Sequence, residues 1–163
     1  MGVRLTGDWE SLGAHLRTLA NGVPERVTRA VAEGAASRTI RRFDEQKGPD
    51  GRPWPPLSPA TLMGEVGPKD RLKGGGFSAR ARRRMALRKA LIRTGRLRNS
   101  IAWKVMGSRV YVGTNVAYAR IHQFGGRAGR GRKVRIPARP FLGFSEEDLE
   151  EVEALLREWL RRP

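Results

Sequence analysis

Apolar positions spaced three and four apart mark both ends of the chain. Between Asp8 and Leu19, the residues Trp9, Leu12, Leu16 and Leu19 make one face of a short helix with Asp8 as N-cap. Asn21-Gly22 breaks it, and Pro24 opens a longer helix as a favoured first-turn residue. Val27, Val31, Ala35, Thr39 and Phe43 step by four along that helix, and Ile40 widens the stripe. The helix is expected to run to about Gln46 and to stop at the turn cluster Lys47-Gly48-Pro49-Asp50-Gly51. At the other end, Leu149, Val152, Leu155, Leu156, Trp159 and Leu160 form a continuous apolar stripe. Ser145 with Asp148 reads as a capping box in which Asp replaces the usual Glu. Glu146, Glu147 and Asp148 suit the positive end of that helix dipole, and Arg157, Arg161 and Arg162 suit the negative end.

The period changes in the middle of the chain. Ile101, Trp103 and Val105 alternate with Ala102 and Lys104, and Val110 and Val112 flank Tyr111 after the turn Met106–Arg109. This predicts a β-hairpin. Val116 to Ile121 then suits a short helix ended by Gly125. Prolines 53, 55, 56 and 59 forbid a helix before Ser58, where Ser-Pro supplies an N-cap and first residue. Trp54 and Leu57 are the apolar anchors of that proline strip and are expected to pin it to the sheet. Thr94-Gly95-Arg96-Leu97 reads as a helix start or tight turn that places Leu97 and Ile101 in the core. The arginine-rich segment RAGRGRKVR reads as a loop. Ile136 to Leu142 reads as an extended strip held rigid by Pro137 and Pro140, suited to presenting Arg139 and Phe141 to another chain, with Arg139 read as an interface or packing hydrogen bonder ahead of a DNA contact.

Composition adds a strong bias. The 163 residues carry 33 Lys+Arg against 16 Asp+Glu, a net charge of +17, so the chain is drawn to polyanions or acidic protein surfaces. Twelve basic residues and one acid, Asp70, lie between Lys69 and Arg98. Ser78 to Leu91 reads equally as a basic helix or as an arm that orders only on a partner, with partial disorder the favoured reading. The absence of cysteine excludes disulfides and thiolate metal sites. No signal-peptide run and no stretch of 18 apolar residues occur, so a chain made and used in the cytoplasm or in something assembled there, without membrane contact, is expected.

Catalytic chemistry finds little to work with. The stretch AYARIHQFGG holds His122, one of two histidines, with no paired histidine at ligand spacing and no nearby acid. His15 reads as an ordinary exposed residue. Glycines in GGRAGRGR lack the spacing of a P-loop or dinucleotide fingerprint. We therefore expect no catalytic residue, no cofactor and no metal. Tyr118, Ile121 and Phe124 are expected to form one packing face, with His122 and Gln123 bonded to backbone or to a neighbouring subunit. The basic segments 69–98 and 127–139 suit phosphate contact without sequence preference, although no zinc-finger, RRM or KH signature accompanies them. Sequence-nonspecific nucleic-acid binding is thus the alternative to a structural role.

Four stretches occur in a recognisable order: PDGRPWPPLSPAT, LIRTGRLRNSI, VYVGTNVAYARIHQFGG and IPARPFLGFSEED. Their order resembles the phage virion morphogenesis family, the tail completion proteins of Mu-like and P2-like tailed bacteriophages, from about Arg26 to the C-terminus. With the elements above, the resemblance implies one α+β domain over 1–163. It would hold a small antiparallel β-sheet with flanking helices, long N-terminal and C-terminal amphipathic helices, and a mobile basic insertion at 64–90. It implies a structural virion protein, not an enzyme, assembled in the bacterial host cytoplasm and placed at the neck or head–tail junction. A homo-oligomeric ring, hexameric to match a tail tube, would meet connector, tail terminator or tail tube proteins and touch packaged DNA in passing. Candidates for the subunit interface or DNA channel are Arg82, Arg83, Arg84, Arg127, Arg130, Arg132, Lys133, Arg139, Phe141, Glu147 and Glu151. Structural-motif candidates are Trp54, Gly95, Leu97, Tyr118, His122, Phe124, Gly125, Pro137 and Pro140.

Overall fold

A computed structural model describes residues 22–64, 66–107 and 109–161. The expected helix over Asp8–Leu19, with His15, lies outside the described residues, as does Arg162. The long first helix, α1, spans Glu25–Glu45, with Pro24 as its N-cap and not its first helical residue. The Pro24 carbonyl accepts from Val27 N at 2.9 Å and Thr28 N at 3.2 Å, which satisfies two of the helix's orphan donors. Gln46 ends α1 in the left-handed conformation at φ 60°, a cost for a non-glycine residue. Its side chain holds it there: Nε2 donates to Phe43 O at 2.6 Å and to Ala90 O at 3.0 Å, and Oε1 accepts from Ala90 N at 2.6 Å.

The buried side of α1 carries Val27, Thr28, Ala32, Ala35, Ala36, Thr39, Arg42 and Phe43. Its small residues let two other elements approach closely. One is the hairpin of β1 (Ala102–Met106) and β2 (Arg109–Gly113), which pair antiparallel with Trp103 opposite Val112 and Val105 opposite Val110. Those four side chains are half-buried, while Ala102, Lys104, Met106 and Tyr111 face outward, the alternation expected of a sheet with one packed face. Gly107 at φ 60° supplies the tight connection.

Short helices position the remaining core. Helix α2 (Pro59–Met63) starts at Ser58, whose hydroxyl accepts from Thr61 N at 3.2 Å. Helix α3 (Ala79–Ala86) is capped in the same way by Ser78, through Ala81 N at 3.2 Å. Helix α4 (Arg96–Asn99) follows Gly95, whose φ of 73° only glycine adopts cheaply. It delivers Leu97 and Ile101 to the core, as the sequence implies. There, Phe43 and Phe141 are wholly buried beside Trp54, Val116 and Ala119. Phe43 meets Trp54 edge-on at 5.5 Å and Phe141 at 5.3 Å, separations at which aromatic rings attract beyond simple area burial.

Two further pieces complete the architecture. After α5 (Ala119–Phe124), the arginine-rich segment read as a loop forms a second antiparallel hairpin, β3 (Gly126–Ala128) with β4 (Val134–Ile136). Among the described residues the sheet is therefore two separate two-stranded ribbons, both antiparallel. The fold is α+β. Helix α6 (Glu146–Arg161) packs back on α1. Its apolar stripe is interrupted, because Leu149 is 57% exposed while Trp159 is buried.

Candidate assembly surfaces

The strip 137–143 turns two of its side chains, Arg139 and Phe141, inward. Arg139 is 5% exposed; its Nε and one terminal nitrogen donate to the carbonyls of Pro55 and Pro56, each at 2.8 Å. Phe141 has no exposed surface. Of the two readings of Arg139, interface or packing hydrogen bonder, the fold makes it the packing one, and the expectation that the strip presents Phe141 to another chain is corrected. Carbonyls of the rigid proline strip converge on the guanidinium, and a fork-shaped donor set satisfies them together. Burial lowers the Arg139 pKa from its ordinary value. Trp54 Nε1 donates to Pro140 O at 2.8 Å. Trp54 thus pins the proline strip to α1 and to the Pro140 segment, within the core cluster that Trp103 and Val112 of the sheet also join. Pro137 is exposed and Pro140 half-buried.

Gln123 closes the same clasp. Its Oε1 accepts from Phe141 N at 2.9 Å and Leu142 N at 3.0 Å, and its Nε2 donates to Leu142 O at 2.8 Å. That is the backbone bonding expected of it. Gly125, at φ 72°, ends α5 where a Cβ would lie 2.9 Å from Ala138 N and 3.2 Å from Ile136 O. No other residue fits that approach without moving backbone.

Two buried charges that the sequence reading did not single out as a pair join the ends of the chain. Arg42 donates to Asp148 Oδ2 at 2.5 Å, to Gly143 O at 2.8 Å and to Phe141 O at 3.1 Å. Arg38 forms ion pairs with Asp148 and with Glu151. Asp148 also completes the capping box: Ser145 N donates to it at 2.8 Å, and Asp148 N donates to Ser145 Oγ at 3.2 Å. Burial alone would raise the Asp148 pKa, but the Ser145 bonds, Arg42 and Arg38 outweigh it and hold the carboxyl below 3.8. Glu151, an interface candidate, is therefore engaged within its own chain. The signal for Arg42 was its place one residue before Phe43 on the buried side of α1, among small residues.

The expected packing face of α5 is corrected as well. Tyr118 is 43% and Phe124 74% exposed, and Ala119 takes the buried position instead. Only one side of a six-residue helix meets the core, and the strip claims it. His122 lies edge-on to Tyr118 at 5.8 Å. Its Nδ1 is buried with no hydrogen-bond partner among the described residues. It borders a cleft of about 510 Å³ with Leu57, Leu91, Leu97 and Arg139 and, among the described residues, no carboxylate. Desolvation and the Arg139 charge both lower its pKa from 6.5. A neutral imidazole with no acid to orient it has no proton relay to join.

The remaining candidates are on the outside. Arg82 and Arg83 are exposed on α3, whereas Arg84 binds Asp70 at 2.6 Å and draws α3 back onto the preceding turn. Arg127, Arg130, Arg132, Lys133 and Arg135 are all exposed on the second hairpin. None of the five has an ion-pair carboxylate among the described residues. Glu146, Glu147 and Glu150 are exposed on the first turns of α6 and likewise unpaired there. The fold thus displays a basic hairpin and an acidic helix start as separate surfaces. Among the described residues, no helix is long and apolar enough to cross a membrane.

The model of the phage virion morphogenesis family matches residues 8–161. The Mu-like prophage FluMu G protein 2 of Haemophilus influenzae is 52% identical over 62 residues, covering 38% of this chain and 45% of that protein. Tail completion protein S of Escherichia phage P2 is 30% identical over 162 residues, covering 98% of this chain and 94% of that protein. The chain therefore spans less than half of the first relative's length and nearly all of the second's. No solved structure matches. The chain belongs to the phage virion morphogenesis family.

Proposed function

We propose that this member of the virion morphogenesis family is a structural component that completes the tail of a phage, prophage or phage-derived particle. The observation that carries the reading is the near end-to-end likeness to Tail completion protein S, 98% of this chain against 94% of that one. In this reading the protein acts by filling and bridging surfaces. It assembles with copies of itself as a ring, six to match a tail tube, at the neck between connector and tail terminator or tail tube proteins. The buried clasp around Arg139 and the Arg42–Asp148 network support such a role, because they make a rigid body from which charged surfaces project. The test is a particle-producing strain lacking the gene. Filled heads and tails that fail to join, rescued by this chain, are expected; normal assembly and infection without it would sink the proposal.

One observation favours a second reading. Five exposed cations of the second hairpin face no carboxylate within the described residues, as a phosphate-binding surface would require. Duplex DNA retained by the isolated protein with a steep salt dependence, and lost when those cations are neutralised, would support it. Weak retention that vanishes near physiological salt would count against it.

A further inference from the structure

The second hairpin is built against its own electrostatics. Arg127 and Arg135 are directly opposed in its register, and like charges facing across an antiparallel pair repel. Arg130, Arg132 and Lys133 crowd the five-residue connection between Ala128 and Val134, where Arg132 stands at φ 53° beside Gly131 at 71°. Each strand has only three residues, and a short two-stranded ribbon is marginal by itself. Its position gains an anchor from α5 but, among the described residues, no compensating charge. A partner bearing carboxylates would relieve the repulsion.

The surface around it also asks for apolar cover. Phe124 is 74% and Val134 56% exposed. Phe124, Arg127, Arg135 and Ile136 line a groove of about 370 Å³ between the end of α5 and the hairpin. Val134 is next to Arg135 in its strand and so belongs to the other face of the ribbon. Phosphates would satisfy the arginines and leave Phe124 in water, whereas an occupant with an apolar knob set among carboxylates would cover Phe124 and meet the arginines.

Such a surface exists on this chain. Glu146, Leu149 and Glu150 fall at helical spacings that share one face of α6. Leu149 is 57% exposed there, and Phe144, just before the helix, is 63% exposed. This face looks away from α1, where α6 docks, while the hairpin is carried by α5. The two complementary surfaces thus belong to different parts of the fold and leave each other unpaired within one subunit. We infer that the β3–β4 hairpin of one copy docks on the Glu146–Leu149–Glu150 face of the next, with Leu149 entering the groove beside Phe124 and the carboxylates meeting Arg127 and Arg135. A contact of this kind is heterologous and repeats head to tail, so it closes into a ring when the rotation permits. It rests on the self-assembly proposed above and names the surfaces that would carry it.

The test reverses charges on the full-length protein and measures association by sedimentation at low and high salt. Arg127 and Arg135 are changed together, because a single Arg127→Glu would pair with Arg135 in its own hairpin. Arg127→Glu/Arg135→Glu and, separately, Glu146→Arg/Glu150→Arg should each weaken association by about tenfold or more. Mixing the two variants should restore it, because each supplies the surface that the other retains or matches in reversed sign; combining all four changes in one chain should restore it as well. Rescue in the four-fold variant also shows that the reversed surfaces still fold. Leu149→Ser should weaken association with little change in its salt dependence. Unchanged association in both reversals, or no rescue in the four-fold variant, overturns the contact while a ring formed by other surfaces would still stand. A hairpin reversal that abolishes retention of a duplex DNA probe without changing association assigns the surface to nucleic acid and overturns the contact. A wild-type protein that stays monomeric at every accessible concentration overturns both the contact and self-assembly by the isolated chain, whereas the gene-deletion test above is read on particles and decides the tail-completion role separately.

Discussion

Replacing Asp148 with asparagine removes one charge from the network that fastens α6 to α1, and leaves the shape of the site almost unchanged. Arg42 is buried and would keep its bonds to Phe141 O and Gly143 O, at 3.1 and 2.8 Å, but lose the carboxylate that balances it. Arg38 would keep Glu151, whose side chain is 53% exposed and therefore a weaker partner. Removing one partner of a buried pair costs about 3–5 kcal/mol, because a desolvated charge is left uncompensated. The retained carbonyl bonds and Glu151 place Asp148→Asn near the lower end, about 3 kcal/mol. For a chain of this size that corresponds to a fall in melting temperature of about 6–12 °C. Urea or thermal unfolding followed by circular dichroism measures it, with an unchanged denaturant slope showing that the same transition is being compared.

The same substitution carries a signature in pH. The folded carboxyl of Asp148 is held below its ordinary 3.8, so the folded state binds fewer protons than the unfolded chain in that window. Its contribution is complete above the unfolded value and is lost as pH falls through the folded one. The wild type should therefore lose stability on acidification below about pH 4 more steeply than Asp148→Asn. A loss under about 0.5 kcal/mol, the range of ordinary surface changes, or identical acid limbs in the two proteins, would refute the reasoning. Arg42→Met with Asp148→Leu should recover only part of the loss, since it removes the buried Arg42 charge but leaves Arg38 with Glu151 alone and the Ser145 amide without its cap.

Other expectations follow from the clasp. Trp54→Ala should cost about 3–5 kcal/mol in unfolding experiments, from the cavity beside Phe43. Gly125→Ala should cost about 1–3 kcal/mol, because its positive φ and the Ala138 backbone leave no room to adjust; an unperturbed melt would contradict the geometry. Gln123→Ala strands the Phe141 and Leu142 amides, so about 1–3 kcal/mol should be lost and amide exchange at those two positions accelerated. His122 is held neutral by burial and by Arg139, with its pKa below 6.5. Stability is then complete above about pH 6.5 and falls as pH drops through the lower folded value, and His122→Gln should remove that slope from a stability–pH profile.

Much of the secondary structure was legible because it depends on neighbours in sequence. The four-residue steps of Val27 to Phe43, the alternation around Trp103, and the Ser58 and Ser145 caps are local patterns, and each became the element it indicates. The second hairpin was not legible. Its strands are three residues long and rich in glycine and arginine, with no alternating apolar face to mark them. Their pairing is selected by the tight approach of Gly125 to residues 136–138.

Which way a side chain points was decided at longer range. From sequence, Arg139 reads as an interface or packing hydrogen bonder and Phe141 as a presented group on a rigid proline strip, while Tyr118 and Phe124 look like a packing face. Folding chooses the packing role for Arg139 and reverses the other two assignments. The carbonyls of Pro55 and Pro56, more than eighty positions away, take the guanidinium, and Phe43 and Trp54 close over the Phe141 side of the strip. With that side filled, α5 has no second core to pack against, and its aromatics remain outside. Sequence by itself determined the long helices α1 and α6, the first hairpin, the excess of positive charge and the family pattern, because periodicity, capping and composition act locally or by summation. Only tertiary structure decided which charges are spent inside and which are left for other molecules. A buried arginine and an exposed one differ by the non-local acceptors that converge on them, and those acceptors meet only when the chain has folded.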